Sequence, residues 1–138
     1  MSFDLYLQVF QSGKAGGIAP EIIRNAFGKY VIEIDEDFWQ VQYGADESSD
    51  IFLQLLPDDS SRVHTISIHR PCRNIHLWQS VWLLLEIPGT IFYFQGCDAP
   101  LARDPRAGMA MPSEMRESLG DPVIVLSVLE ISQVIEGI

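Results

Sequence analysis

Basic residues are scarce in this chain: Lys and Arg together number 9 of 138 residues, against 19 Asp and Glu, for a formal net charge of −10. A surface that grips nucleic acid needs clustered Lys and Arg to neutralise phosphates, so the charge balance argues against nucleic acid as a direct ligand. Cysteine is nearly lacking too. Cys72 and Cys97 are too few for a disulfide framework and sit in no CxxC motif, which points to a reduced, cytoplasmic protein with unpaired thiols. Long apolar runs are missing. The longest uncharged stretch, Asn74 to Leu85, is about a dozen residues, against roughly 20 needed to cross a bilayer, so no membrane role is expected. The opening MSFDLYLQVF carries an acid at Asp4 and none of the basic residues that begin a signal peptide. No repeat, low-complexity tract or composition shift marks a boundary, so a single domain over 1–138 is expected.

What is present is ordinary globular material, 47% hydrophobic and 20% charged. Phe3, Leu5, Leu7 and Val9 alternate with Asp4, Tyr6 and Gln8, the period of a half-buried strand. A glycine-bearing turn (Gly13, Gly16, Gly17) leads to a short helix, Pro20 to Phe27, stopped by Gly28. Strands are predicted at Tyr30–Ile34, Phe38–Tyr43, Ile51–Leu55 and Val63–His69, joined by short polar links that suit an antiparallel meander. Asn74 to Glu86 is the strongest helix, with Ile75, Trp78, Val81, Trp82 and Leu85 on one face, and it is expected to lie in the core. Thr90–Gln95 reads as a strand, 96–111 as an irregular excursion, and Pro112–Leu119 as a short helix. Val123–Leu126 reads as a buried strand. Ser127 and Glu130 have capping-box spacing for a last helix through Ile135, ended by Gly137. The expected fold class is α+β: a mainly antiparallel sheet of about six to seven strands with three to four helices packed against it.

Reactive side chains are densest at His69, Arg70, Cys72, Arg73 and His76, with His64 upstream. A metal site is not expected. Strand alternation sends His64 and His69 to opposite faces, and neither HExxH nor paired CxxC spacing is present, while structural zinc takes four ligands. No cofactor is implied. The catalytic alternative is a thiol enzyme, with Cys72 as nucleophile near a helix start and His69 as its base; the plain alternative makes Cys72 a packing residue at a strand-to-helix corner. Arg70 and Arg73 are expected to hold an internal carboxylate such as Asp50 or Glu47, since acids outnumber bases. The loop Gly13-Lys-Ala-Gly-Gly17 matches neither GxxxxGK[ST] nor GxGxxG and reads as a turn.

The acidic turns are the remaining signal. Asp35, Glu36 and Asp37 fall on one turn, Asp46, Glu47 and Asp50 on the next, Asp58 and Asp59 on a third. In a meander every second turn shares an end of the sheet, so Asp35, Glu36, Asp37, Asp58 and Asp59 are expected to form one patch for a basic protein partner. Solvation is the plainer use of such acids. Exposed aromatics such as Tyr6 or Trp39 would supply anchors.

The residues Met1-Ser-Phe-Asp-Leu-Tyr-Leu7, Phe38-Trp39, Ile68-His-Arg-Pro71, Tyr93-Phe94-Gln-Gly96 and Pro112-x-x-Met115 together resemble a family of small uncharacterised bacterial proteins. In size, acidity and lack of a catalytic signature such proteins resemble immunity proteins, which neutralise a toxin. The resemblance implies a cytoplasmic inhibitor of a basic toxin or nuclease rather than an enzyme. The alternatives are the Cys72/His69 enzyme and a homo-oligomeric accessory protein, at its simplest a homodimer, using the apolar face of Trp78, Trp82, Leu83 and Leu84.

Overall fold

The computed structural model describes residues 4–35 and 38–136. The first strand, β1 (Leu5–Gln11), turns through Ser12 and Gly13, both in the left-handed region, into the two-residue β2 (Lys14–Ala15). That pairing of positive φ values makes the tight primed turn that suits the twist of a hairpin. Helix α1 (Pro20–Phe27) follows, with Pro at its start and Gly28 at its end, then one 3-10 turn, Gly28–Tyr30. The meander runs β3 (Val31–Ile34), β4 (Phe38–Gly44), β5 (Glu47–Leu56) and β6 (Asp59–His69). After it come α2 (Ile75–Leu85), β7 (Thr90–Phe94), β8 (Leu101–Ala102), α3 (Ala107–Ala110), α4 (Ser113–Leu119), β9 (Val123–Ile124) and α5 (Val128–Glu136).

The sheet order is β3-β4-β5-β6-β1-β7-β8-β9, with β2 beside β1. Every pairing is antiparallel except β8 with β9. β1 therefore sits centrally, clasped between β6 and β7. The fold is α+β as expected, but the described residues form nine strands and five α-helices, more than were predicted. The excess lies in the two-residue strands β2 and β8 and the four-residue helix α3, too short to give any periodicity; β8 and α3 give the 96–111 excursion its structure.

Strand alternation builds the core. Leu5, Leu7, Ile66, Ile68, Ile51 and Val41 point to one face and are essentially without solvent contact. Helices α1, α2 and α5 cover that face, bringing Phe27, Trp78, Val81 and Ile131 into the same cluster. Each such side chain contributes roughly 1.5–3 kcal/mol through burial. Asn74 caps α2, its side chain accepting from the His76 amide at 2.9 Å. Ser127 Oγ accepts from the Glu130 amide while the Glu130 carboxylate accepts from Leu126 N–H, so the capping box forms one residue out of register. Gly137 lies outside the described residues.

Three expectations are corrected. Trp39 is 5% exposed and belongs to the core, because it shares the inward face with Val41, so it is no surface anchor. Val123–Leu126 is not a buried strand: Val123 and Ile124 form an exposed sheet edge, Val125 alone turns inward, and Leu126 is 77% exposed. On α2, Trp78 and Leu84 are spent on the core while Trp82 is half-buried under Arg103, whose guanidinium lies 3.9 Å from its ring. Of the apolar face offered for self-association, Leu83 is the residue that stands at the surface.

Candidate functional site

The opposite side of the sheet is covered only in part. Phe10 and Ile91 point to it and are buried with Ala107 and Met111 in a second cluster, built by α3 and completed by Met115 and Leu119 of α4. Tyr93 also packs against this cluster at its edge, and from Tyr6 across to Phe38, among the described residues, no helix packs over the strands. This open face is organised in rows, because paired strands place every second residue side by side.

One row is aromatic. Phe38 is paired with Phe52, Phe52 with Ser67, Ser67 with Tyr6, and Tyr6 with Tyr93, so four aromatic rings and one hydroxyl span β4, β5, β6, β1 and β7. Phe38 and Phe52 have ring centroids 5.1 Å apart, and Tyr6 and Tyr93 stack at 5.4 Å. Phe52 is 39% exposed, and the other three rings are half-buried, Tyr93 partly against the second cluster.

A second row runs beside it. Glu33 is paired with Gln40, Gln40 with Asp50, and Asp50 with His69, and His69 Nδ1 stands 3.8 Å from the Asp4 carboxylate. His69 leans on the aromatic row, its ring 4.6 Å from that of Phe52. Arg70 closes on Asp50 through two of its nitrogens, at 3.0 and 2.5 Å, the internal pairing expected of it, whereas Arg73 holds no carboxylate among the described residues. The third row is polar: Tyr93 donates to Gln8 Oε1 at 2.9 Å, and Gln8 Nε2 donates to Thr65 Oγ1 at 3.2 Å. The face therefore offers a hydrophobic band between a carboxylate-bearing row and a hydrogen-bonded amide row.

The acidic turns stand apart from this band. Asp35 opens the β3–β4 turn, its N–H donating to Phe38 O at 2.8 Å; Glu36 and Asp37 lie outside the described residues. Asp58 and Asp59 stand at the tip of the β5–β6 hairpin, on the same end of the sheet. Because Phe38 pairs with Phe52, that hairpin runs four more residues beyond it, roughly 13 Å at a strand's rise. The Ser61 hydroxyl and amide hold the Asp59 carboxyl below the usual carboxylate range, with Arg62 adding to the effect. At the other end of the sheet, Glu47 accepts from Asn74 Nδ2 at 3.0 Å.

Cys72 and His69 are not brought together as nucleophile and base. His69 belongs to the open face, whereas Cys72 packs against the helix-covered core, where its N–H donates to Ser49 Oγ at 2.9 Å. Burial pushes the Cys72 thiol up, with Glu47 adding to it, although the Ser49 hydroxyl pulls the other way. His76 bonds Gln79 at 3.0 Å and stacks on Tyr30. Among the described residues no group of three or more His, Cys, Asp or Glu side chains is placed to hold a metal ion. Nor, among the described residues, is any helix long and apolar enough to cross a membrane.

Sequence reasoning picked out Tyr6 on the open face and passed over Phe38, Phe52, Tyr93, Asp4 and Glu33. The signal was present in the alternation: Phe52 lies between Ile51 and Leu53, both inward, so it must point outward. The step from one outward residue to a five-strand row needs the pairing register, which long-range contacts set. Compared with protein-family models, curated proteins and solved structures, the chain matches none.

Proposed function

We propose that this chain is a binding domain that sequesters a basic protein on its open sheet face, a role that suits an immunity-type inhibitor of a toxin. The observation that supports it most is the aromatic row Phe38–Phe52–Tyr6–Tyr93 lying directly beside the carboxylates of Glu33 and Asp4, with Asp50 between them already held by Arg70. Aromatic rings held rigid by stacking contribute large contact area at small entropic cost, the property of interface anchors. The flanking carboxylates, together with a net charge of −10, favour a partner rich in Lys and Arg and speed its approach. The projecting Asp58–Asp59 hairpin and Asp35 extend that field beyond the face.

The experiment is capture from the native source with three immobilised forms: wild type, a Phe52→Ala/Tyr93→Ala pair, and an Asp58→Asn/Asp59→Asn pair. The expected result is a basic protein recovered in near-equal amount by wild type, lost with the aromatic pair, and recovered with the acidic pair after slower association. Undiminished capture by the aromatic pair overturns the open face as the site. No basic protein in any eluate overturns the reading itself.

A further inference from the structure

At the other end of β1 from Tyr6 the chain has a cleft of about 390 Å³, within the size range of small-molecule sites. Two arginines line it, Arg62 from β6 and Arg106 from the segment before α3. Arg62 and Arg106, like Arg24 and Arg73, form no ion pair within 4.0 Å among the described residues, whereas Arg70, Arg103 and Arg116 do; Arg62 stands near enough to Asp59 to help lower its carboxyl.

Both arginines belong to segments that are fixed in place. Arg62 Nη2 donates to Gly17 O at 2.6 Å, so the side chain lies across the loop after β2. Gly17 allows this: a Cβ there would come within 2.8 Å of Arg62 Cβ and 2.6 Å of Leu56 Cδ1. On the far wall the one carboxylate of the cleft, Asp104, is engaged on both oxygens by main-chain amides. Oδ1 accepts from Arg106 N–H at 2.9 Å and Oδ2 from Gly89 N–H at 3.1 Å, which ties the Arg106 segment to the turn before β7. Val9, Ile87 and Pro88 add apolar wall.

We infer that this cleft binds a small organic anion, a phosphomonoester or carboxylate whose charged group sits between Arg62 and Arg106 and whose apolar body lies along Ile87 and Pro88. Guanidinium forks match both oxyanions, and a preformed site with little to reorganise gives up little entropy on binding. The site does not depend on the open sheet face or on any protein partner.

The test is titration of the full chain at low ionic strength with phenyl phosphate, benzoate and inorganic phosphate, followed by amide shifts in NMR. The expected result is saturable shifts at Gly17, Gly89 and Arg106 with phenyl phosphate or benzoate, the stronger of the two identifying the anion. Inorganic phosphate, lacking the apolar body, is expected to bind more weakly. Arg62→Gln and Arg106→Gln should each weaken binding by about tenfold, while Arg24→Gln on α1 should leave it unchanged. Thermal unfolding of each variant checks that it is folded; if one arginine variant does not fold, the other carries the test. Shifts that do not saturate, or affinity kept by both folded arginine variants, would overturn the inference.

Discussion

Tyr6 and Tyr93 stack face to face on adjacent antiparallel strands, 26° from parallel, on the side of the sheet that α1, α2 and α5 leave bare. One strand residue away from Tyr6 on either side, Leu5 and Leu7 are wholly within the core. A single strand thus serves stability with one set of side chains and a surface band with the other.

That division predicts opposite outcomes at neighbouring positions. Ile51→Ala should cost about 2–5 kcal/mol in urea unfolding, since it empties a filled core position. Phe52→Ala removes only the cross-strand contacts with Phe38 and His69 and should cost about 1 kcal/mol. Against a captured partner the order should reverse, with Phe52→Ala losing roughly 2 kcal/mol of binding as an interface anchor would. A Phe52 variant as unstable as the Ile51 variant would place Phe52 in the core instead.

Tyr43 gives a prediction in pH. Its hydroxyl is buried beside Ser80 but completes no hydrogen bond of good geometry, and Ser80 Oγ instead donates to His76 O at 3.2 Å. Burial raises the Tyr43 pKa well above its ordinary 10.0. The folded state therefore holds the proton more tightly than the unfolded state, and the stability Tyr43 contributes is full below pH 10.0 and falls as pH rises above it. Tyr43→Phe should change stability by less than about 1 kcal/mol at pH 7, and the variant should gain on wild type above pH 10. A constant difference between the two across that range would show that the hydroxyl is not buried in solution.

Cys72 should behave as a packing thiol. Its raised pKa lowers the thiolate fraction at neutral pH, so in a Cys97→Ser background iodoacetamide should alkylate it more slowly in the native chain than in urea. Faster reaction in the native chain would restore the enzyme reading.

Two glycines with positive φ should respond differently to alanine. A Cβ at Gly89 would lie 2.0 Å from Phe10 O, the carbonyl of a residue whose own N–H donates to Gly89 O. Gly28 also has positive φ, but nothing lies within 4 Å of its Cβ position. Gly28→Ala should cost about 1 kcal/mol, the left-handed penalty alone. Gly89→Ala should cost at least about 3 kcal/mol, because the turn into β7 and its pairing with Phe10 must shift as well.

The legible parts of the fold were those in which local chemistry decides structure. Pro20 and Gly28 bound α1 at the expected residues, and the alternation from Leu5 to Val9 gave β1 its inward face. Val123 and Ile124 misled, because a β-branched run says strand but not which side is covered, and this strand ends at the sheet edge. The open-face rows needed the pairings of Phe52 with Ser67 and Tyr6 with Tyr93, contacts between residues distant in sequence that no local pattern encodes. The arginine cleft was hidden for the same reason: Gly17 and Arg62 meet only after β6 returns beside the loop.

The central place of β1 has a consequence for how the chain acquires its structure. β4, β5 and β6 are joined by tight turns and form from neighbours in sequence, with little entropy lost in closing their loops. β1 is made before them, yet its partners are Ile66 to Ile68 on one side and Phe92 to Phe94 on the other. During synthesis its inward leucines wait for β6 until about half of the chain has been made and for β7 until about two thirds has. Insertion of β1 into the slot between β6 and β7 is therefore the step expected to be slowest in folding, and the one at which a chaperone would have most to shield.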